Sequence, residues 1–208
     1  LTFGLDNYWR RKTVDIAVKG RSGKWLDACT GTGEMAIALK ARAPQGTVVY
    51  ATDFSADMLK IARAKQQAAG IIFKEANTFA LPFADNYFDL VTISFALRNL
   101  RTGSKEFVKI FKEINRVLKP GGRFVNIETS QPKLFLLKWI FMLYVKYFTP
   151  LIGGLLTGSF RGFNYLSSSI LNFYTAEDLL KILKEGGFGT ASYTPLLFGA
   201  VAIHKAGK

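Results

Sequence analysis

Between residues 25 and 39 the hydrophobic pattern of the chain changes period across a glycine turn. Residues 25–30 (WLDACT) form a short, largely apolar run, Gly31-Thr32-Gly33 closes it, and Met35, Ala36, Ala38 and Leu39 then recur at helical spacing. Strand, turn and helix in that order satisfy G-x-G-x-x-A from Gly31 to Ala36, and a second, β-branched run (TVVYAT) ends at Asp53, 20 residues after Gly33. Glycines let the backbone approach a ligand closely, and a carboxylate at the end of the second strand can accept hydrogen bonds from both hydroxyls of a ribose. The unit reads as a nucleotide site, with a purely structural turn as its alternative.

The same alternation continues. Pro44-Gln45-Gly46 stops the first helix. Ser55 caps a second, whose positions Met58, Ile61 and Ala62 share a face, and Gly70 ends it before the strand-like residues 71–74. After the loop Leu81-Pro82-Phe83, Asp89 opens a fourth strand (LVTISF). Phe107, Ile110, Phe111, Ile114 and Leu118 mark a helix with Lys109 and Glu113 paired at i, i+4, which Lys119-Pro120-Gly121-Gly122 ends before strand five (FVNIET). Strands alternating with helices mean a parallel sheet with right-handed crossovers. The pattern breaks after Glu128: residues 133–172 read as a helical insertion, Thr175 and Asp178 as a capping box for a helix ending at Gly186-Gly187, and residues 190–195 and 199–204 as two strands paired antiparallel.

At 208 residues the chain is one domain, 1–208, with that insertion. A net charge of +13 on a chain that is 49% hydrophobic excludes a disordered basic tail. The single cysteine, Cys29, excludes an intramolecular disulfide and favours a reducing, cytoplasmic compartment; the single histidine, His204, excludes a histidine-built metal cluster, and no metal is expected. The chain starts at Leu1 without a signal-peptide pattern, so the native N-terminus is expected to be missing.

Charge distribution decides between partners. From Thr129 through Ala176 there is no acidic residue, yet there are Lys133, Lys138, Lys146 and Arg161 and eleven aromatics. Such a stretch suits either a packed lid or peripheral contact with the inner face of a membrane, and suits a phosphate groove less well. With no RNA-binding module evident, no nucleic-acid partner is expected. A spanning helix over residues 134–157 is expected to be excluded, because Lys138, Lys146, Pro150 and Gly153-Gly154 interrupt the apolar run. The two lysines, eight residues apart, fall on one side of an amphipathic helix. Homo-oligomerisation is left open.

Asp27, four residues before Gly31, separates two nucleotide chemistries. A dinucleotide pyrophosphate disfavours a carboxylate there, whereas the ammonium of S-adenosylmethionine favours one; ordering of the loop is the alternative role.

With these features in hand, the whole chain resembles the menaquinone and ubiquinone biosynthesis C-methyltransferases. The likeness is carried by FGLDNYWRRKTV, LDACTGTGEMAIAL, ATDFSADML, ALPFADNYFDLVTISFALRN, INRVLKPGGRFVNIETSQP, YLSSSI and GAVAIHK. It implies the class I S-adenosylmethionine-dependent methyltransferase fold: a doubly wound, mostly parallel seven-stranded α/β sheet with an antiparallel C-terminal strand. It also implies S-adenosylmethionine as methyl donor, S-adenosylhomocysteine as product and an isoprenoid quinol as substrate. The ETSQP segment is similar to that of demethylmenaquinone-methylating members of Gram-positive type, where ubiquinone-linked members more often read EFSKP. A Tyr-Asp and Asn motif that family members carry upstream of FGLD is absent, so a cofactor lid built from it is expected to be missing; Arg161-Gly162-Phe163-Asn164 stands where the family tends to be acidic.

Carried over position by position, the family's cofactor contacts fall on Thr32, Asp53, Asn77, Thr78 and Ser94, alongside Asp27, Gly31 and Gly33 of the glycine loop. Carbon methylation needs a carbon nucleophile, which a quinol becomes once a phenolic proton leaves. Arg98 and Asn99, just after strand four, are the candidates to stabilise the phenolate: the arginine stays protonated and pairs with it or activates a water that Asn99 holds. His204, Cys29 and Asp89 read as structural. A ubiquinone precursor, another small molecule, RNA, and a nucleotide-dependent oxidoreductase are the alternatives.

Overall fold

The computed structural model describes residues 4–100 and 103–208. Its seven strands are β1 (Lys24–Ala28), β2 (Val48–Asp53), β3 (Ile71–Glu75), β4 (Phe88–Ser94), β5 (Leu118–Thr129), β6 (Thr190–Leu196) and β7 (Val201–Gly207). They form one sheet in the order β3-β2-β1-β4-β5-β7-β6, parallel from β3 to β5, with β7 antiparallel to both of its neighbours. The order reverses between β1 and β4. Ligands of open α/β sheets bind there, beyond the strand carboxyl ends.

Both faces of the sheet are covered, which is why its central strands are apolar on successive residues rather than alternately. On one face Trp25, Val49, Leu90 and Val125 pack with α1 (Leu5–Val18) and α2 (Glu34–Ala41), through Trp9, Val14, Met35 and Leu39. On the other, Leu26, Val91 and Phe124 pack with α4 (Ser104–Val117) and α8 (Ala176–Glu185), through Phe107, Phe111, Ile114, Leu179 and Leu183. Arg123 of β5 donates to the carbonyls of Ile16 and Ala17, at 2.9 and 3.0 Å, which caps α1 and fixes its other end over the site.

Several local expectations shift. On α3 (Ala56–Arg63), capped by Ser55, the buried positions are Leu59 and Ala62, and Met58 and Ile61 face solvent. Glu113 pairs with Arg116 at 2.7 Å rather than with Lys109, because Arg116 also reaches the carbonyls of Leu81 and Phe83 and so ties the Leu81-Pro82-Phe83 loop to α4. Lys119-Pro120-Gly121-Gly122 does end α4, but it lies inside β5 as an irregularity: Leu118 pairs with Phe88, and the ladder resumes at Arg123 opposite Leu90. The closing hairpin turns at residues 197–199, which moves β7 two residues beyond its expected start.

The insertion departs most from expectation. α5 (Phe135–Leu143) runs through a π-helical turn (Tyr144–Phe148) into α6 (Thr149–Thr157), giving 23 continuous helical residues, long and apolar enough by length and composition alone to cross a membrane. Pro150 does not break this helix because it falls in the first turn of α6, directly after the i→i+5 bond from the Thr149 amide to the Tyr144 carbonyl. Gly153 and Gly154 do not break it either. They make room for the rings of Phe163 and Phe160 on α7 (Phe160–Leu171), which an added Cβ would approach to 2.3 and 2.2 Å.

Candidate active site

The loop after β1 is held open by hydrogen bonds from its neighbours. Gly31 N–H donates to Asp53 at 2.7 Å and Ser55 N–H to the other oxygen of Asp53 at 2.9 Å, so one carboxylate at the end of β2 joins the glycine turn to the start of α3. Gly33 has φ 88°, and a Cβ there would stand 3.0 Å from the Ala62 Cβ; glycine answers both conditions. Thr32 donates to Glu34 at 2.6 Å, and Lys65 bonds both the Thr32 carbonyl and Glu34 at 2.6 Å.

Asp27 lies fully buried beneath this loop, accepting from Thr30 Oγ1 at 2.5 Å and Thr92 Oγ1 at 2.8 Å. Burial outweighs these two hydrogen bonds and pushes its carboxyl up to about 7. Of its two candidate roles, ordering the loop is the one this geometry displays. After β3, Asn77 is exposed and its side-chain oxygen accepts from Phe79 N–H at 3.0 Å, while Thr78 shares a 2.9 Å hydrogen bond with Cys29 Sγ. Burial raises that thiol to about 11, which leaves it protonated and inert, in keeping with a structural Cys29. Ser94 Oγ, at the end of β4, is buried and has no hydrogen-bond partner among the described residues. His204 and Asp89 are likewise structural: His204 Nε2 bonds the Ala176 carbonyl at 3.0 Å, and Asp89 takes Lys24 N–H and Lys119 at the opposite end of the sheet.

Beyond Ser94 the chain makes a tight turn at Phe95 (φ 52°) and carries Arg98 on a short helical turn, Leu97–Leu100. Arg98 Nη1 donates to Glu128 Oε1 at 2.5 Å, and Glu128, fully buried near the end of β5, also accepts from Thr129 N–H at 2.8 Å. The Nε–H of this guanidinium is buried and has no acceptor among the described residues. Phe95 lies between two guanidinium groups, Arg10 at 5.5 Å and Arg98 at 5.6 Å from its ring centre.

Arg10, Phe95 and Arg98 line an open cavity of about 470 Å³ walled by α1, the insertion and the start of β7, with Trp9, Phe141, Tyr144, Ile170 and Leu197 in its walls. Asp6 is the acidic residue of that lining and is bound to Arg10 at 2.7 Å. Asn99 is exposed on the outer side of its turn, its carbonyl accepting from Tyr165 OH at 3.4 Å, and it is not in the cavity wall.

The structure thus gathers Gly31, Thr32, Gly33, Asp53, Asn77 and Thr78 at the carboxyl ends of β1 to β3, over buried Asp27, and sets Arg98 in the cavity beyond β4. Sequence reasoning missed Glu128, Asp6, Arg10 and the exposed Phe54 beside Asp53. For Glu128 the signal was available: a carboxylate near the carboxyl end of an otherwise apolar strand needs a partner.

The sequence profile described as the ubiE/COQ5 methyltransferase family matches residues 1–208. The chain belongs to the ubiE/COQ5 methyltransferase family. Among its relatives, the demethylmenaquinone methyltransferase of Thermus thermophilus is 41% identical over 206 residues, spanning 98% of this chain and 91% of the relative. That of Thermotoga maritima is 37% identical over 205 residues, spanning 98% and 86%. A SAM-dependent methyltransferase from Aquifex aeolicus shares the fold with a TM-score of 0.63 at 17% identity, over 89% of this chain and 81% of that one. This ubiE/COQ5 family member is a methyltransferase enzyme with the class I fold that its sequence resemblance implied, and its family makes S-adenosylmethionine its methyl donor.

Proposed function

We propose that the protein methylates a ring carbon of demethylmenaquinol, the substrate for which the Thermus and Thermotoga relatives are named. The observation that carries this reading is the guanidinium of Arg98, held by buried Glu128 in the wall of a cavity whose surface is mostly apolar. A hydroquinone ring oxygen is an acceptor that an apolar cavity can deliver to it.

The residues at the strand ends fit the methyl donor. Among the described residues, space is open over Gly31, where an added Cβ would meet nothing within 4 Å, and Ser94 Oγ is an unpartnered buried hydroxyl; Phe54, 77% exposed, offers an aromatic surface beside Asp53. Asp53 would take the ribose, Phe54 the adenine face, and Thr32, Asn77, Thr78 and Ser94 the remaining polar groups. When bound, S-adenosylmethionine supplies a methyl on a sulfonium sulfur and leaves as S-adenosylhomocysteine.

The chain's own part is to make the ring carbon nucleophilic. A phenol has a pKa of about 10, and lowering it by about 3 units takes about 4 kcal/mol of differential interaction. Arg98, held in place by Glu128, donates to the developing phenolate and cannot itself take the proton. Asp6, bound to Arg10, accepts it. The apolar walls exclude water and so strengthen both interactions. Asn99, on the solvent side of its turn, is left with a water-holding role at most.

Methyl transfer from labelled S-adenosylmethionine tests the substrate, offering short-tailed demethylmenaquinol and a demethylated ubiquinone precursor side by side. Labelled demethylmenaquinol as the main product is expected. Incorporation into the ubiquinone precursor alone, or into neither, contradicts the reading.

A further inference from the structure

The helix running from α5 into α6 has two unlike faces. Val145, Thr149 and Gly153 are buried, and Ser167 Oγ of α7 bonds the Val145 carbonyl at 2.6 Å, so this face is fixed to the fold and helps to wall the cavity. Much of the rest of its surface is apolar and open: Phe135 is 84% exposed, Trp139 55% and Leu156 77%. Contiguous exposed apolar surface of this kind marks an interaction site.

A second element joins it from the far end of the chain. In the β6–β7 turn Leu197 and Phe198 have φ of 45° and 54°, a left-handed conformation that costs a bulky residue about 1–2 kcal/mol. That strained backbone holds the Phe198 ring out in solvent, 79% exposed. Leu197 shares the 470 Å³ cavity with Phe141 and Tyr144, and Phe198 shares a neighbouring cavity of about 360 Å³ with Leu134. The turn therefore stands beside the helix, and the substrate cavity is framed by both.

Charge says what covers this face. The segment 129–176 has no acid, and its basic residue Lys133 is already paired with Glu177 of α8. Lys138, Lys146 and Arg161 make no ion pair among the described residues. A second copy packed face to face would bring these cations against their own counterparts with no carboxylate to pair them. An anionic lipid surface meets both requirements, taking aromatic and aliphatic side chains into the interface and cations to the headgroups. A helix fixed along one face to α7 lies in such an interface rather than crossing it.

We propose that this face docks on an anionic bilayer, with α5 and α6 lying in the plane of the interface, Trp139 and Phe198 among the lipids, and the cavity opening onto the membrane. Docking rests on the surface alone; that an isoprenoid substrate passes directly from lipid to cavity rests on the methyl-transfer reading above.

Trp139 is its own reporter, because Trp9 and Trp25 are buried. The intact protein is mixed at low salt with phosphatidylcholine vesicles and with vesicles carrying phosphatidylglycerol. Co-sedimentation with the anionic vesicles, a blue shift of tryptophan emission that Trp139→Phe abolishes, and quenching by brominated acyl chains are expected. Lys146→Glu with Arg161→Glu should weaken partitioning at least 10-fold, and Phe198→Ser several-fold, while turnover of a short-tailed, water-soluble quinol by Phe198→Ser stays unchanged. That last measurement keeps failure of docking distinct from failure of the catalytic reading. Absence of binding to anionic vesicles overturns the proposal, as does binding that leaves Trp139 emission unshifted, or a stable dimer that hides Trp139 and ignores lipid.

Discussion

Arg98 and Glu128 form an ion pair at 2.5 Å that joins the turn after β4 to the last residues of β5, with the glutamate fully buried. Removing one member of such a pair leaves the other charge uncompensated. Glu128→Gln is expected to lower unfolding stability by about 3 kcal/mol in urea titration. Because the guanidinium is then no longer aimed, kcat should also fall while the affinity for S-adenosylmethionine is kept. Wild-type kcat in a folded Glu128→Gln variant would remove Glu128 from the mechanism.

Asp6 carries the proton in this account. Asp6→Asn should reduce kcat by about 100-fold, within the range for loss of a general base, and Asp6→Glu should recover part of it. The discriminating readout is the pH profile: kcat/KM of the wild type should fall on the acidic side, and that limb should vanish in Asp6→Asn. An unchanged limb would assign the base elsewhere.

Much of the fold is legible in the sequence because local signals and tertiary demands agree. Thr175 accepts from Asp178 N–H at 3.2 Å and Ser55 from Met58 N–H at 3.3 Å, as their capping positions predict. The glycine turn and Asp53 lie together at the ends of β1 and β2, where the sequence pattern placed a ligand site, and the Gly31–Asp53 hydrogen bond between them was not foreseen. What was not legible depends on partners distant in sequence. Pro150 and Gly153-Gly154 look like helix breakers until α7 supplies Phe160 and Phe163 to fill the groove the glycines leave. Nor does any local pattern indicate that Asp6 and Arg98 share one cavity, since α1 is brought there by Arg123 on β5.

Asp27 gives the fold an unusual pH response. Its carboxyl titrates near about 7 in the folded protein because of burial, against about 4 in an unfolded chain. Between those values the folded state holds the extra proton, so this group's contribution to stability is fully present below about pH 4 and is lost as pH rises through about 7. Thermal unfolding across pH 5 to 8 should show wild type losing stability relative to Asp27→Asn as pH rises. A constant difference between the two would contradict it.

Gly153 lets α6 pack closely against Phe163 of α7. Gly153→Ala places a Cβ against the Phe163 ring and should cost about 1–3 kcal/mol, the range for overpacking. Val145 and Thr149 on the same helix face line the cavity, so displacement of α6 should raise KM for the quinol and leave S-adenosylhomocysteine binding unchanged by calorimetry. Equal losses at both sites would show that the insertion does not act on the quinol alone.

The central claim is that the guanidinium of Arg98 receives the ring oxygen of a reduced quinol. Single-turnover methyl transfer from labelled S-adenosylmethionine to short-tailed demethylmenaquinone, with and without dithionite, in wild type and Arg98→Ala, tests it most directly. Ring-carbon methylation of the reduced form only, slowed about 100-fold in Arg98→Ala with methyl-donor affinity intact, is the predicted result. Equal rates on the oxidised quinone, or an unchanged rate in Arg98→Ala, would contradict it.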